Sequence, residues 1–241
     1  MLKGRMIKTR NKCQTVLCVC FEHLGIRSSS VDSSSEFRHS SFLSALLLPL
    51  LWLAGCAGSG RVYPPVHPSD PVTVYLTDYG RHSTLMFPAG PSRLVEYEWG
   101  DWIWMAYNQR DMSSASRAMV LSGCSAFSRR FIEPAKPTAA AVRSAIYDEA
   151  QVTALLVDRP TAETLRRTLD DRFLRDANTL IFNPVDGCCM ARDPAHYSVF
   201  YNCNHLTAEW LRELGCRVEG DTTLSKFEVV ASPDPNAESK P

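Results

Sequence analysis

The chain has 241 residues, with 26 Lys and Arg against 26 Asp and Glu, and nine cysteines. Balanced charge and the lack of a basic stripe exclude the electrostatic footprint of a nucleic-acid partner or a polyanionic substrate. The length fits one domain of ordinary size flanked by a leader and a tail.

Residues 1–40 are serine-rich and hold Cys13, Cys18 and Cys20. A leader normally has only a handful of residues ahead of its apolar run, so this stretch suggests an over-extended gene start. No histidine or cysteine pair follows Cys18-Val19-Cys20 at ligand spacing, so no metal and no cofactor are expected. Ser41 to Gly55 is apolar, too short to cross a bilayer as a stable helix, and closes on small residues, as the hydrophobic part of a signal peptide does. Leu53-Ala54-Gly55-Cys56 resembles the bacterial lipobox. That resemblance implies cleavage before Cys56, acylation of its sulfur, and a membrane as the partner through the lipid. Ala57, where an aspartate would signal inner-membrane retention, implies by the same resemblance an outer-membrane lipoprotein facing the periplasm. The expected organisation is signal peptide over 1–55, lipidated tether over 56–71, folded domain over 72–231 and disordered tail over 232–241.

Beyond Cys56 the chain keeps Cys124, Cys188, Cys189, Cys203 and Cys216, and an oxidising compartment pairs cysteines that can meet. A helix over 203–216 would separate its two cysteines by roughly 20 Å, too far to bridge. The simplest arrangement gives Cys188 and Cys189 one partner each from Cys124 and Cys216. Cys203 then stays a thiol.

Along the domain, Val72-Thr-Val-Tyr-Leu-Thr77 and Ser83-Thr-Leu-Met-Phe87 read as a hairpin turned at Asp78-Tyr-Gly80, with His82 near the start of its second strand. Arg93 to Trp99 reads as a third strand, with Leu94, Glu96 and Glu98 on one face and Val95, Tyr97 and Trp99 on the other. An aromatic segment with Trp102, Trp104 and Tyr107 leads to a short helix over 113–121. Helices are expected over 139–150 and 160–175, with Pro160 in a first-turn position. Strands are expected over 152–157, 179–182 and 197–201, with turn-rich chain from Asn183 to Pro194. The whole is α+β, an antiparallel sheet with packed helices.

The final helix is the most sharply marked, with Asn202 as its cap and Gly215 as its left-handed terminator. Cys203, Leu206, Thr207, Trp210 and Leu214 fall on one stripe that faces the protein. A thiol in a first helical turn meets unpaired N–H groups and the positive dipole end, which lower its pKa. To act as a nucleophile it needs a histidine base and a polar group to orient that base. His82, on the hairpin beside the strand that carries Glu98, is the candidate base. His196 precedes the last strand and is the weaker choice; His205, two residues after the cysteine, points well around the helix from the sulfur. Trp99, Trp102 and Trp104 fit a core better than a sugar- or acyl-stacking surface.

A histidine in an early strand, a polar residue on the next strand, and Asn202-Cys-Asn-His-Leu206 opening a late helix resemble the circularly permuted papain-like hydrolases, both NlpC-type cell-wall peptidases and lecithin retinol acyltransferase-like enzymes. Gly80-Arg-His-Ser83, Glu98-Trp-Gly-Asp101 and the Asn-Cys-Asn-His element also look like an uncharacterised family of bacterial envelope proteins. The resemblance spans residues 72–216. It implies Cys203 as nucleophile, His82 as base and Glu98 as orienter, with Glu96 or Asp101 as alternatives for the last role. A thiol hydrolase or acyltransferase acting on peptidoglycan peptides or acyl lipids is the function implied. A non-catalytic envelope lipoprotein that binds or scaffolds cell-wall or lipid components is the alternative. A redox protein is disfavoured because no Cys-X-X-Cys occurs.

Overall fold

Strands rich in valine, threonine and aromatic residues dominate the computed structural model, which describes residues 59–80, 82–109, 118, 122–146, 150–224 and 226–230, all within the unit Gly58–Pro241. The expected signal peptide, Cys56, the 232–241 tail and, apart from Ala118, the expected 113–121 helix lie outside the described residues. After β1 (Gly60–Tyr63), seven strands form one wholly antiparallel sheet. These are β2 (Pro71–Asp78), β3 (Ser83–Gly90), β4 (Arg93–Asp101), β5 (Ser125–Ile132), β6 (Gln151–Asp158), β7 (Ile181–Asn183) and β8 (Cys188–Asp193), in the order β6-β2-β3-β4-β5-β8-β7. Among the described residues four α-helices, α1 (Trp102–Ala106), α2 (Ala139–Ala145), α3 (Arg159–Leu174) and α4 (Cys203–Glu213), accompany it. The architecture is α+β. Among the described residues no helix is long and apolar enough to cross a membrane.

Central β4 is covered on both faces, so every residue from Leu94 to Asp101 is buried. Its register with β3 and β5 puts Leu85, Tyr97 and Arg129 in one row, and Met86, Glu96 and Arg130 in the next, on the opposite face. The first face carries Phe87, Tyr97, Trp99 and Phe127 and packs against α3 and α4. Trp210 of α4 meets Phe127 edge-on at 6.0 Å, and the Arg129 guanidinium lies 4.4 Å over Phe173 of α3. On the other face Tyr75, Met86, Leu94 and Ile132 form a cluster with Val142. Trp102, Ala126, Cys188 and Met190 form a second.

Glu96 and Glu98 lie on that second face, where two carboxylates side by side need a counter-charge. Arg130, directly across the ladder from Glu96, supplies it: its Nε donates to Glu96 Oε2 at 2.8 Å, and its Nη2 lies 4.0 Å from Glu98 Oε1. Thr84 Oγ1 and the Tyr79 hydroxyl donate to Glu96 Oε1 at 2.6 and 2.8 Å. The alternation expected of this strand is present, and its charged face is interior rather than solvated.

Several elements differ from expectation. Part of the supposed tether is structured: β1 is the middle strand of a second sheet, antiparallel to β9 (Arg217–Glu219) and parallel to β10 (Phe227–Val229), with Val62 fully buried. Its four residues are too few to show a period, and its partners lie far along the chain. Two inner strands, β5 and β8, run through sequence with no clear alternation; Cys188-Cys-Met-Ala-Arg-Asp193 has no β-branched residue, and only pairing with β5 and β7 makes it a strand. Conversely, residues 197–201 make a tight turn closed by a Ser198–Tyr201 bridge, because Tyr197 and Tyr201 both pack on Trp99. The helix expected over 139–150 ends at Ala145.

Replacing Arg130 by methionine leaves buried Glu96 without its counter-ion, and urea unfolding should show a loss of about 3–5 kcal/mol at pH 8. The loss should shrink at pH 5, where the carboxyls can take up protons. Equal losses at the two pH values would mean the carboxylates are not its source.

Candidate active site

Asn202 is the N-cap of α4: its Oδ1 accepts the N–H groups of Asn204 and His205 at 3.0 and 3.3 Å. His205 closes the reciprocal half of the box, its Nδ1 accepting the Asn202 N–H at 3.4 Å. That commits His205 to the helix start. At the other end Gly215, at φ 82°, makes a Schellman ending, with Cys216 N–H donating to Leu211 O at 3.0 Å and Gly215 N–H to Arg212 O at 2.9 Å.

Cys203 is the first helical residue and is 6% exposed. Its sulfur lies 3.7 Å from the Tyr197 hydroxyl and donates to Asn204 Oδ1 at 3.7 Å. Tyr197 is fixed from behind by Trp99, at 5.3 Å between centroids. Trp99 is fixed in turn by its Nε1, which donates to Ser125 Oγ at 2.8 Å; Ser125 Oγ donates to Ala195 O at 2.6 Å. The turn bearing Tyr197 is therefore tied to β4 and β5.

The same Asn204 oxygen that accepts from the thiol accepts the Ser83 backbone N–H at 3.1 Å, while Thr207 Oγ1 donates to Ser83 O at 3.0 Å. One side-chain oxygen thus links the sulfur to the peptide that follows His82. Asn204 Nδ2 and Asn202 Nδ2 each donate to Thr223 O at 3.1 Å, which fixes the amide orientation. Neither Asn204 nor Thr207 was singled out from sequence for this role. Asn204 sits inside the motif, but only tertiary structure reveals what its amide holds.

His82 is half-buried. Its carbonyl accepts the Tyr79 N–H at 2.9 Å, and its ring stacks on that of Tyr79 with centroids 4.9 Å apart and planes 16° from parallel. Glu98 projects from the face of β4 opposite Trp99, toward Arg130. Asp101 is occupied as the cap of α1, accepting the Trp104 N–H at 2.8 Å. Glu96 is engaged by Arg130, Thr84 and Tyr79. His196 is exposed, its Nδ1 3.5 Å from Ser122 O.

Electrostatics overturn one expectation. Burial pushes the Cys203 thiol up to about 11, outweighing the Tyr197 hydroxyl and the backbone N–H groups of the first turn, which pull it down. Burial also pushes Glu98 up to about 8, with Glu96 adding to the rise and Arg130 opposing it.

The expected disulfides are not formed: Cys124, Cys188, Cys203 and Cys216 are free thiols. The β5–β8 register sets Ser125 opposite Asp193 and Arg129 opposite Cys189. Cys124 and the tandem pair therefore stand at opposite ends of that ladder, roughly 15–20 Å apart. No disulfide spans that gap. Among the described residues no group of three His, Cys, Asp or Glu side chains could hold a metal ion.

Two outcomes follow from these shifts. Alkylation of Cys203 by iodoacetamide should still be accelerating above pH 9, and Tyr197→Phe, which removes a thiolate-stabilising donor, should slow it at every pH; a plateau by pH 7 would contradict the burial argument. For Glu98, the stability gained by holding a proton in the folded state is complete below about 4.5 and is lost as pH rises through about 8. Glu98→Gln should therefore gain stability relative to the parent chain between pH 5 and 9, and a pH-independent difference in urea midpoints would refute this. Comparison with family models, curated proteins and solved structures finds no match to this chain.

Proposed function

We propose that this chain is an envelope lipoprotein, acylated at Cys56, whose domain is a cysteine hydrolase or acyltransferase with a circularly permuted papain-like arrangement. The observation that carries the reading is the Asn204 oxygen, which accepts from both the Cys203 thiol and the peptide joining His82 to β3. In the reaction, Cys203 Sγ forms a bond to a substrate carbonyl carbon while its proton passes to the His82 imidazole. Collapse of the tetrahedral adduct breaks the carbon–oxygen or carbon–nitrogen bond, and the imidazolium protonates the leaving group. Water, or an acceptor hydroxyl or amine, then attacks the thioester, gives its proton to His82, and returns the thiol. Because the resting thiol is neutral, the base must take its proton during attack. Glu98 supports the site through the charge balance of the second sheet face. Peptidoglycan peptides and acyl lipids are the substrate classes an envelope location supplies.

The burial of Cys203 favours the second reading, a non-catalytic lipoprotein that binds cell-wall or lipid components.

Incubation with p-nitrophenyl butyrate separates the two. An acyl-enzyme at Cys203, seen as a butyryl mass increment on its peptide, and nitrophenol release lost in Cys203→Ala support the enzyme. His82→Ala should cut the rate by about 10²–10⁴-fold. Wild-type release no faster than that of Cys203→Ala would leave the binding reading.

A further inference from the structure

His82 has to present one imidazole nitrogen to the sulfur, and it follows the turn at Gly80, whose φ is 82°, just before β3 begins. One side chain that meets it is that of Tyr79. Their rings are stacked at 4.9 Å and nearly parallel, and the Tyr79 N–H donates to the His82 carbonyl at 2.9 Å, so this one residue contacts both the ring and the main chain of the histidine.

Stacking orients a partner only if the supporting ring is itself immobile. The far end of Tyr79 is bound at two points: its hydroxyl donates to Glu96 Oε1 at 2.8 Å and accepts from Arg130 Nη2 at 2.7 Å. Glu96 is completely buried, and Arg130 also donates to Asp186 O at 3.3 Å. The ion pair at the middle of the sheet thus holds a phenol whose ring reaches out to the edge of the site. A tyrosine spans this distance and offers a flat apolar face at one end and a polar anchor at the other.

We propose that Tyr79 is a positioning residue for His82: the Glu96–Arg130 pair clamps its hydroxyl, and its ring sets the plane of the imidazole. Glu96, weighed from sequence as an alternative to Glu98, enters as the anchor of that ring. This inference rests on the thiol-hydrolase reading for its catalytic consequence, while the clamp itself does not.

The test compares Tyr79→Phe and Tyr79→Leu in the full chain, with circular dichroism to establish folding. With p-nitrophenyl butyrate, Tyr79→Leu should lower kcat about 10- to 100-fold with KM unchanged, as misplacement of a reacting group does. Tyr79→Phe keeps the ring and loses the anchor, so it should recover a substantial part of that loss. A Leu variant with wild-type kcat overturns the proposal, as does a Phe variant no better than the Leu variant. Carbethoxylation of His82 by diethyl pyrocarbonate, followed by peptide mass spectrometry, provides a readout independent of turnover. Uncovering one ring face should speed modification several-fold in Tyr79→Leu and less in Tyr79→Phe. If the parent chain has no esterase activity, the hydrolase reading fails, and the carbethoxylation rates alone decide whether Tyr79 holds the imidazole; unchanged rates overturn the clamp.

Discussion

The hydrogen bonds between α4 and the first peptide of β3 are what everything at the candidate site depends on. Asn204 and Thr207 lie on one side of the helix, three residues apart, and grip both polar atoms of Ser83, the N–H and the carbonyl. These groups are buried, so leaving either unsatisfied would cost about 1–3 kcal/mol. The helix therefore has little freedom to slide or turn along the sheet edge. Cys203 precedes Asn204 and His82 precedes Ser83, so fixing one pair fixes the chain positions of the other, although the two segments lie far apart in sequence.

A helix N-terminus and a low-dielectric interior pull a thiol in opposite directions, and here the interior prevails. Dipole stabilisation of a charge is worth at most about 2 kcal/mol in favourable partly buried geometry. Removing a charge from water costs several. An N-terminal cysteine that projected into solvent would keep the benefit without the cost, but Cys203 turns inward between Tyr197 and Asn204. Placement at N1 could be read from the Asn202 cap; the depth of burial could not, because it is set by the Tyr197 turn and by Trp99 behind it.

That contrast describes what the sequence made legible. Features written in local chemistry were readable: the hairpin turned at Gly80, the alternation of β4, α3 opening with Pro160, α4 with its cap and its Gly215 terminator. Features created by long-range pairing were not. β5 and β8 lack periodic signals and become strands by lying beside other strands, β1 is completed by segments from the far end of the domain, and the Tyr197–Tyr201 segment alternates like a strand yet folds back on itself to reach Trp99. The disulfide scheme failed for the same reason, since it needed a β5–β8 register that neither strand advertises. At the candidate site, Cys203 and His82 are proposed from motif and order, whereas the contacts of Tyr79, Tyr197, Asn204 and Thr207 arise only once β3, β4 and α4 are packed together.

Burying two carboxylates on the central strand is costly, and the arrangement around them gives that cost a structural consequence. Glu96 is ion-paired and draws in Thr84 and Tyr79, so its hydrogen bonds reach from β4 through β3 to the turn that precedes it. Glu98, next on the same face, has only partial access to Arg130 at 4.0 Å, and its pKa is raised first by burial and then by the Glu96 charge, which the guanidinium only partly offsets. The pair divides the labour: Glu96, bound to Arg130, anchors the network that reaches Tyr79, and Glu98, with its raised pKa, limits the charge next to it. A proton on Glu98 also lessens the negative field at Cys203, since the Glu98 charge is among the influences that raise the thiol. On the proposed hydrolase reading, in which a neutral thiol is the nucleophile, removal of an opposing charge and placement of the base are the two remaining levers. Both trace to the same strand of the sheet.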